Sequence, residues 1–118
     1  MAMTYKELGD WGEEYAANRL QECGYTLVER QFRCREGEID LIVSQGPLLI
    51  FVEVKTRRML TAGYGREAVT PSKRKKIRTA ALRFMELRGL LTHPTRFDVA
   101  EITLHGDQVE WVYLPNAF

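Results

Sequence analysis

The sequence predicts an α/β fold, a sheet of three to five strands with a helix on each side, in the order helix, three strands, helix, two strands. Three observations carry this reading. A helix-start signal at Thr4 is followed by apolar residues at helical spacing. A short run, Leu48 to Val54, is apolar on both faces. A second helical stripe, opened by Thr70-Pro71, is followed by a hairpin signal at Gly106-Asp107. Alternating helices and strands of this kind fold as packed layers around a sheet.

Thr4-Tyr5-Lys6-Glu7 has the spacing of a capping box, in which the threonine hydroxyl and the glutamate each satisfy the other's end of a first turn. Leu8, Trp11, Tyr15, Ala16, Leu20 and Cys23 then recur at helical spacing, and Gly24 is a fitting stop. The stretch Tyr25 to Arg33 mixes β-branched, aromatic and charged residues, as an outer strand does. A turn at Glu36-Gly37 leads into a second strand, Ile39 to Val43, and Gln45-Gly46-Pro47 punctuates again. Leu48 to Lys55 reads as a central strand covered on both faces. Residues 57–69 lack periodicity and read as a loop. Ile77, Ala80, Ala81, Phe84 and Met85 form the buried stripe of the second helix, which Gly89 closes. Arg96 to His105 and Gln108 to Leu114 complete the chain as a hairpin.

At 118 residues the chain has the length of one domain. Its longest apolar run, Pro47 to Val52, is far short of the roughly 20 residues that span a bilayer, so no membrane partner is expected. Lys6, Glu7 and Asp10 break up the N-terminal stretch, which does not read as a secretory signal. Cys23 and Cys34 form no disulfide framework, and a reducing cytoplasm is the expected location. His93 and His105 fall in no metal-ligand spacing.

Charge is segregated. Residues 55–88 hold 11 basic and 2 acidic side chains, whereas residues 1–54 hold 5 basic and 10 acidic. A cationic block of this density attracts polyanions by counterion release; taken alone, it is equally the solvated face of a helix.

Residues two apart on a strand share a face, so Glu53 and Lys55 emerge together near the end of the central strand, as Glu38 and Asp40 do on the strand before it. If the two strands pair across Gly46-Pro47, Asp40 approaches Glu53 and Lys55. Adjacent carboxylates repel and either raise one another's pKa or share a cation. Oxygen donors of this type suit Mg²⁺ or Mn²⁺, and a neighbouring lysine orients water and offsets charge growing on phosphorus. The plainer alternative is a structural salt bridge. Arg57 follows Lys55 by two and is a candidate phosphate contact; Lys73 and Lys76 are candidate clamps on a nucleic-acid backbone, and Arg66 a loop cation within reach of one.

The segments Gly37-Glu38-Ile39-Asp40-Leu41-Ile42 and Phe51-Val52-Glu53-Val54-Lys55-Thr56-Arg57 resemble the signature of the YraN family of small uncharacterised bacterial proteins. Gly9, Gly12-Glu13, Ala16, Gly24-Tyr25, Lys73, Arg96-Phe97-Asp98 and Asn116-Ala117-Phe118 extend the resemblance along essentially the whole chain. That family in turn resembles archaeal Holliday junction resolvases and the PD-(D/E)xK superfamily. The resemblance implies a restriction-endonuclease-like domain over residues 1–118 with a mixed central sheet. It places Asp40, Glu53 and Lys55 at the metal and catalytic positions and adds Glu13 from the first helix. It further implies a Mg²⁺- or Mn²⁺-dependent nuclease acting on DNA, at branched or processed structures, as a homodimer. The alternative is a nucleic-acid-binding accessory protein of the same fold that does not cut.

Overall fold

A computed structural model describes residues 3–59 and 69–118. Helix α1 (Tyr5–Glu22) is followed by strands β1 (Thr26–Cys34), β2 (Gly37–Gln45) and β3 (Leu48–Met59), helix α2 (Pro71–Arg88), and strands β4 (Thr95–His105) and β5 (Gln108–Leu114). This is the expected order. The strands form one mixed sheet ordered β1-β2-β3-β4-β5, antiparallel throughout except for the parallel pair β3–β4. A parallel pair needs a crossover, and α2 supplies it.

The helix ends follow their local chemistry. Thr4 Oγ1 accepts from Glu7 N and the Glu7 carboxylate accepts from Thr4 N, a complete capping box. Thr70 caps α2 by accepting from Lys73 N at 3.2 Å, Pro71 opens the first turn, and Gly89 ends the helix at φ 67°, a left-handed conformation that suits glycine.

Two apolar layers sandwich the sheet. On one face Ile39, Ile42, Leu49, Phe51 and Val99 pack with the predicted α2 stripe, Ile77, Ala80, Ala81, Phe84 and Met85. On the other, Leu41, Val43, Ile50, Val52, Ala100 and Ile102 pack with Ala16, Ala17 and Leu20 of α1. Strand β3 thus lies at the centre, covered on both faces.

Three expectations are corrected. The central strand does not end at Lys55 but runs to Met59, because β4 pairs with it as far as Met59↔His105; residues 57–59 are therefore strand. The predicted stripe of α1 holds except at its end: Leu8, Ala16 and Leu20 are buried and Trp11 and Tyr15 pack half-buried on the same core, but Cys23 is exposed, and Gly12 and Ala17 are buried in addition. Gly12 lies against the central strand. A Cβ placed there would lie 1.8 Å from Thr56 Oγ1, so helix and strand touch backbone to side chain at this point. Finally, β2 does not alternate cleanly. Ile39 packs on the α2 side and Leu41, two residues on, packs on the α1 side, so the strand rotates at Asp40.

Among the described residues no helix is long and apolar enough to cross a membrane.

Candidate active site

The β2–β3 ladder runs from Gln45↔Leu48 to Leu41↔Val52 and stops there, while β3 goes on beside β4. The next residues along are Asp40 and Glu53. Across from Asp40, between the pairs Arg30↔Leu41 and Phe32↔Ile39, lies Gln31 with φ 50°, a left-handed conformation uncommon for a side-chain-bearing residue. The irregularity falls where β2 rotates. Past the end of the ladder, the Asp40 carboxylate takes over from the strand and accepts a hydrogen bond from Val54 N at 2.8 Å.

Asp40 and Glu53 are thus brought together, with their carboxyl groups within hydrogen-bonding reach. Burial first, and the charge of Glu53 second, push the Asp40 carboxyl up to about 8, against the lowering effect of the Val54 N–H bond. Glu13 adds a smaller repulsion from α1. Glu53 is only 8% exposed and pairs with Lys73 of α2, Nζ to Oε1, at 3.2 Å. Glu13 accepts from Gln31 Nε2 at 2.8 Å; burial raises its pKa despite that bond, and Asp10 and Glu38 push it the same way. Gln31 is the site residue that sequence reasoning missed. A glutamine on a mixed outer strand carries no signal of its backbone angle or of the glutamate it holds.

A cleft of about 830 Å³ opens beside this group. Glu53, Lys55, Arg57, Arg58 and Lys73 line it, together with Thr4, Tyr5 and Leu8 at the start of α1. Arg58, from the other side of β3, reaches round to Met3 O at 3.2 Å. Lys76 lines a second hollow of about 370 Å³ with Gly37, Glu38, Thr70, Ser72, Lys73 and Ile77. Glu38 does not join the Asp40–Glu53 pair; it is exposed and meets Arg33 at 3.2 Å. Arg66 lies outside the described residues.

The donor set fits a hard divalent cation. Two carboxylates that repel each other at close range are relieved by a shared cation, and oxygen is the ligand Mg²⁺ and Mn²⁺ prefer. Among the described residues no group of three or more His, Cys, Asp or Glu side chains is arranged to hold a metal. A cation held here would have the pair as its protein ligands, and Mg²⁺ characteristically completes its sphere with water and phosphate oxygens.

The model of the uncharacterised protein family UPF0102 matches residues 12–102, a span that includes Glu13, Asp40, Glu53, Lys55 and Lys73. The chain belongs to the UPF0102 family. A UPF0102 protein of Geobacter sulfurreducens is 47% identical over 116 residues, covering 96% of this chain and 89% of that one. Another, of Caldicellulosiruptor saccharolyticus, is 41% identical over 118 residues, covering 98% and 100%. A third, of Dictyoglomus turgidum, is 40% identical over 118 residues with the same coverage. UPF0102 is the YraN family suggested by the sequence motifs.

The terminal motifs of that resemblance have a structural explanation. Asp98, fully buried, accepts from Arg96 Nε and Nη2 at 2.9 Å each, from Tyr113 Oη at 2.5 Å and from Asn116 N at 2.8 Å. Ala117 N bonds Phe97 O at 2.7 Å and Phe118 stacks on Phe97 at 5.4 Å. Arg96-Phe97-Asp98 and Asn116-Ala117-Phe118 are two halves of one clasp.

Proposed function

We propose that this UPF0102 protein is a metal-dependent nuclease that hydrolyses DNA phosphodiesters, with branched or processed structures as its substrates. The observation that carries the reading is the Asp40–Glu53 pair, set where the β2–β3 ladder ends, with Glu53 and, two residues on, Lys55 lining a cleft edged by arginine and lysine. A structural salt bridge alone does not call for two carboxyls within bonding reach of each other.

In this reading Asp40 and Glu53 hold Mg²⁺ or Mn²⁺. When bound, the metal polarises the phosphate and lowers the pKa of a coordinated water. The Val54 N–H holds Asp40 Oδ2, and Oδ1 would be the oxygen available to the cation. Lys55 orients the attacking water and offsets negative charge growing on the phosphoryl oxygens. Glu13, steered by Gln31, orders a further water. Arg57, Lys73, Lys76 and, in the segment not described, Arg66 hold the sugar-phosphate backbone by charge, which positions a substrate without reading its sequence. Two copies acting as a homodimer would present two such sites to a branched substrate.

The test is a labelled panel of four-way junction, flap, nicked, single-stranded and duplex DNA, incubated with wild type and Asp40→Asn in Mg²⁺ and in Mn²⁺, with binding scored in Ca²⁺. Cleavage by wild type that Asp40→Asn loses is the expected result. Binding to every substrate without cleavage overturns the nuclease and leaves a nucleic-acid-binding accessory protein.

A further inference from the structure

Lys73 sits at the boundary between the carboxylate pair and solvent. Its backbone is fixed, since its N–H donates to the Thr70 cap. Its side chain is half-exposed, 49%, while that of its partner Glu53 is 8% exposed, so the lysine is the member of the pair that is able to leave. Lys73 pairs with Glu53, whereas Asp40, the neighbouring carboxyl, is tied to Val54 N. Lys73 also lines both the main cleft and the hollow that Lys76 shares, so away from Glu53 it stays within a cationic surface.

Building on the metal-nuclease reading, we propose that Lys73 is an internal counter-ion that occupies Glu53 in the metal-free protein and competes with the divalent cation for it. A dication shared by Asp40 and Glu53 would bring two charges to Glu53 where the ammonium brings one, and would displace it. The released Nζ then faces the cleft, where a phosphate bound to the same metal would meet it. Lys73 is a positioning residue in this scheme: it keeps the buried carboxylate paired until metal arrives and links metal loading to phosphate binding.

The experiment is calorimetric titration of Mn²⁺ into the metal-free full chain, without DNA, for wild type, Lys73→Met, Lys73→Arg, Asp40→Asn and Lys75→Met. A half-exposed ion pair contributes up to about 1 kcal/mol, so Lys73→Met is expected to tighten Mn²⁺ binding roughly fivefold. Lys73→Arg keeps the charge and binds no more tightly than wild type, Lys75→Met on the exposed face of α2 matches wild type, and Asp40→Asn loses binding. Equal affinities for wild type and Lys73→Met, with Asp40→Asn still losing binding, overturn the counter-ion role and leave the metal site standing. Absence of Mn²⁺ binding in wild type overturns both. Should Lys73→Met fail to fold, Lys73→Gln gives the same reading, because it also removes the charge.

Discussion

The Val54 amide donates to the Asp40 carboxylate at 2.8 Å at the point where β2 stops pairing with β3. A side chain replaces the neighbouring strand there. It satisfies a backbone donor on the central strand and brings its carboxyl against Glu53. The first consequence is electrostatic. Asp40 titrates at about 8 in the folded chain, against its ordinary 3.8, because of burial and then Glu53. A carboxyl raised on folding favours the native state fully below its unfolded pKa, and that advantage is lost as pH rises through the folded value.

In EDTA, therefore, the melting temperature of the wild type is expected to fall between about pH 4 and about pH 8 and then level off. Asp40→Asn, which keeps an acceptor for Val54 N–H and cannot ionise, should show a shallower decline and exceed wild type above about pH 8. Saturating Mn²⁺ should flatten the wild-type profile in the same way. Superimposable profiles for wild type and Asp40→Asn in EDTA would refute this account of the pair.

Gly12 tests the contact between α1 and the central strand. A methyl group there collides with Thr56 Oγ1, Cβ and Cγ2. Gly12→Ala is expected to destabilise the fold by about 1–3 kcal/mol in urea unfolding. Thr56→Ala removes two of the three colliding atoms, so the double variant should recover part of that loss, as a coupling energy in a double-mutant cycle.

The Asp98 clasp should behave as a structural unit. Removing its carboxylate leaves Arg96, Tyr113 and Asn116 N without their shared acceptor. Asp98→Ala is expected to cost about 3–5 kcal/mol, the range for breaking a buried pair. Tyr113→Phe, which removes one donor, should cost about 1–3 kcal/mol. Denaturant midpoints measure both, and an Asp98→Ala midpoint equal to wild type would show that the clasp does not hold the C-terminal segment.

Salt dependence tests the cationic rim. If Arg57 and Lys76 each neutralise one phosphate, Arg57→Ala and Lys76→Ala should each lower the slope of log affinity against log salt by about one. Fluorescence anisotropy in Ca²⁺ on junction and duplex DNA reads this directly. A slope unchanged in either variant removes that residue from the interface.

Much of the fold was legible because its signals are local. The capping box at Thr4 and Glu7 depends on four consecutive residues, the α2 stripe from Ile77 to Met85 on a single helical period, and the left-handed stop at Gly89 on one residue. The double-sided apolar run of β3 marked a central strand for the same reason. Where a neighbour decides, local reading fell short. The α1 stripe was incomplete because Gly12, which carries no apolar signal, is buried where it settles on Thr56, and β3 was cut short because β4 supplies the hydrogen bonds that extend it.

The site divides in the same way. Sequence alone put Asp40 on one strand and Glu53 and Lys55 together on one face of the next, and left their meeting conditional on pairing across Gly46-Pro47, which the β2–β3 ladder supplies. Only the tertiary structure decided that β2 rotates at Asp40 opposite Gln31, that Val54 N–H takes the carboxylate, and that Lys73 reaches across from α2 to pair with Glu53. Each of these joins residues far apart in the chain or depends on where a ladder ends. No periodicity encodes such a contact, because the energy that selects it belongs to the packed sheet and helices together.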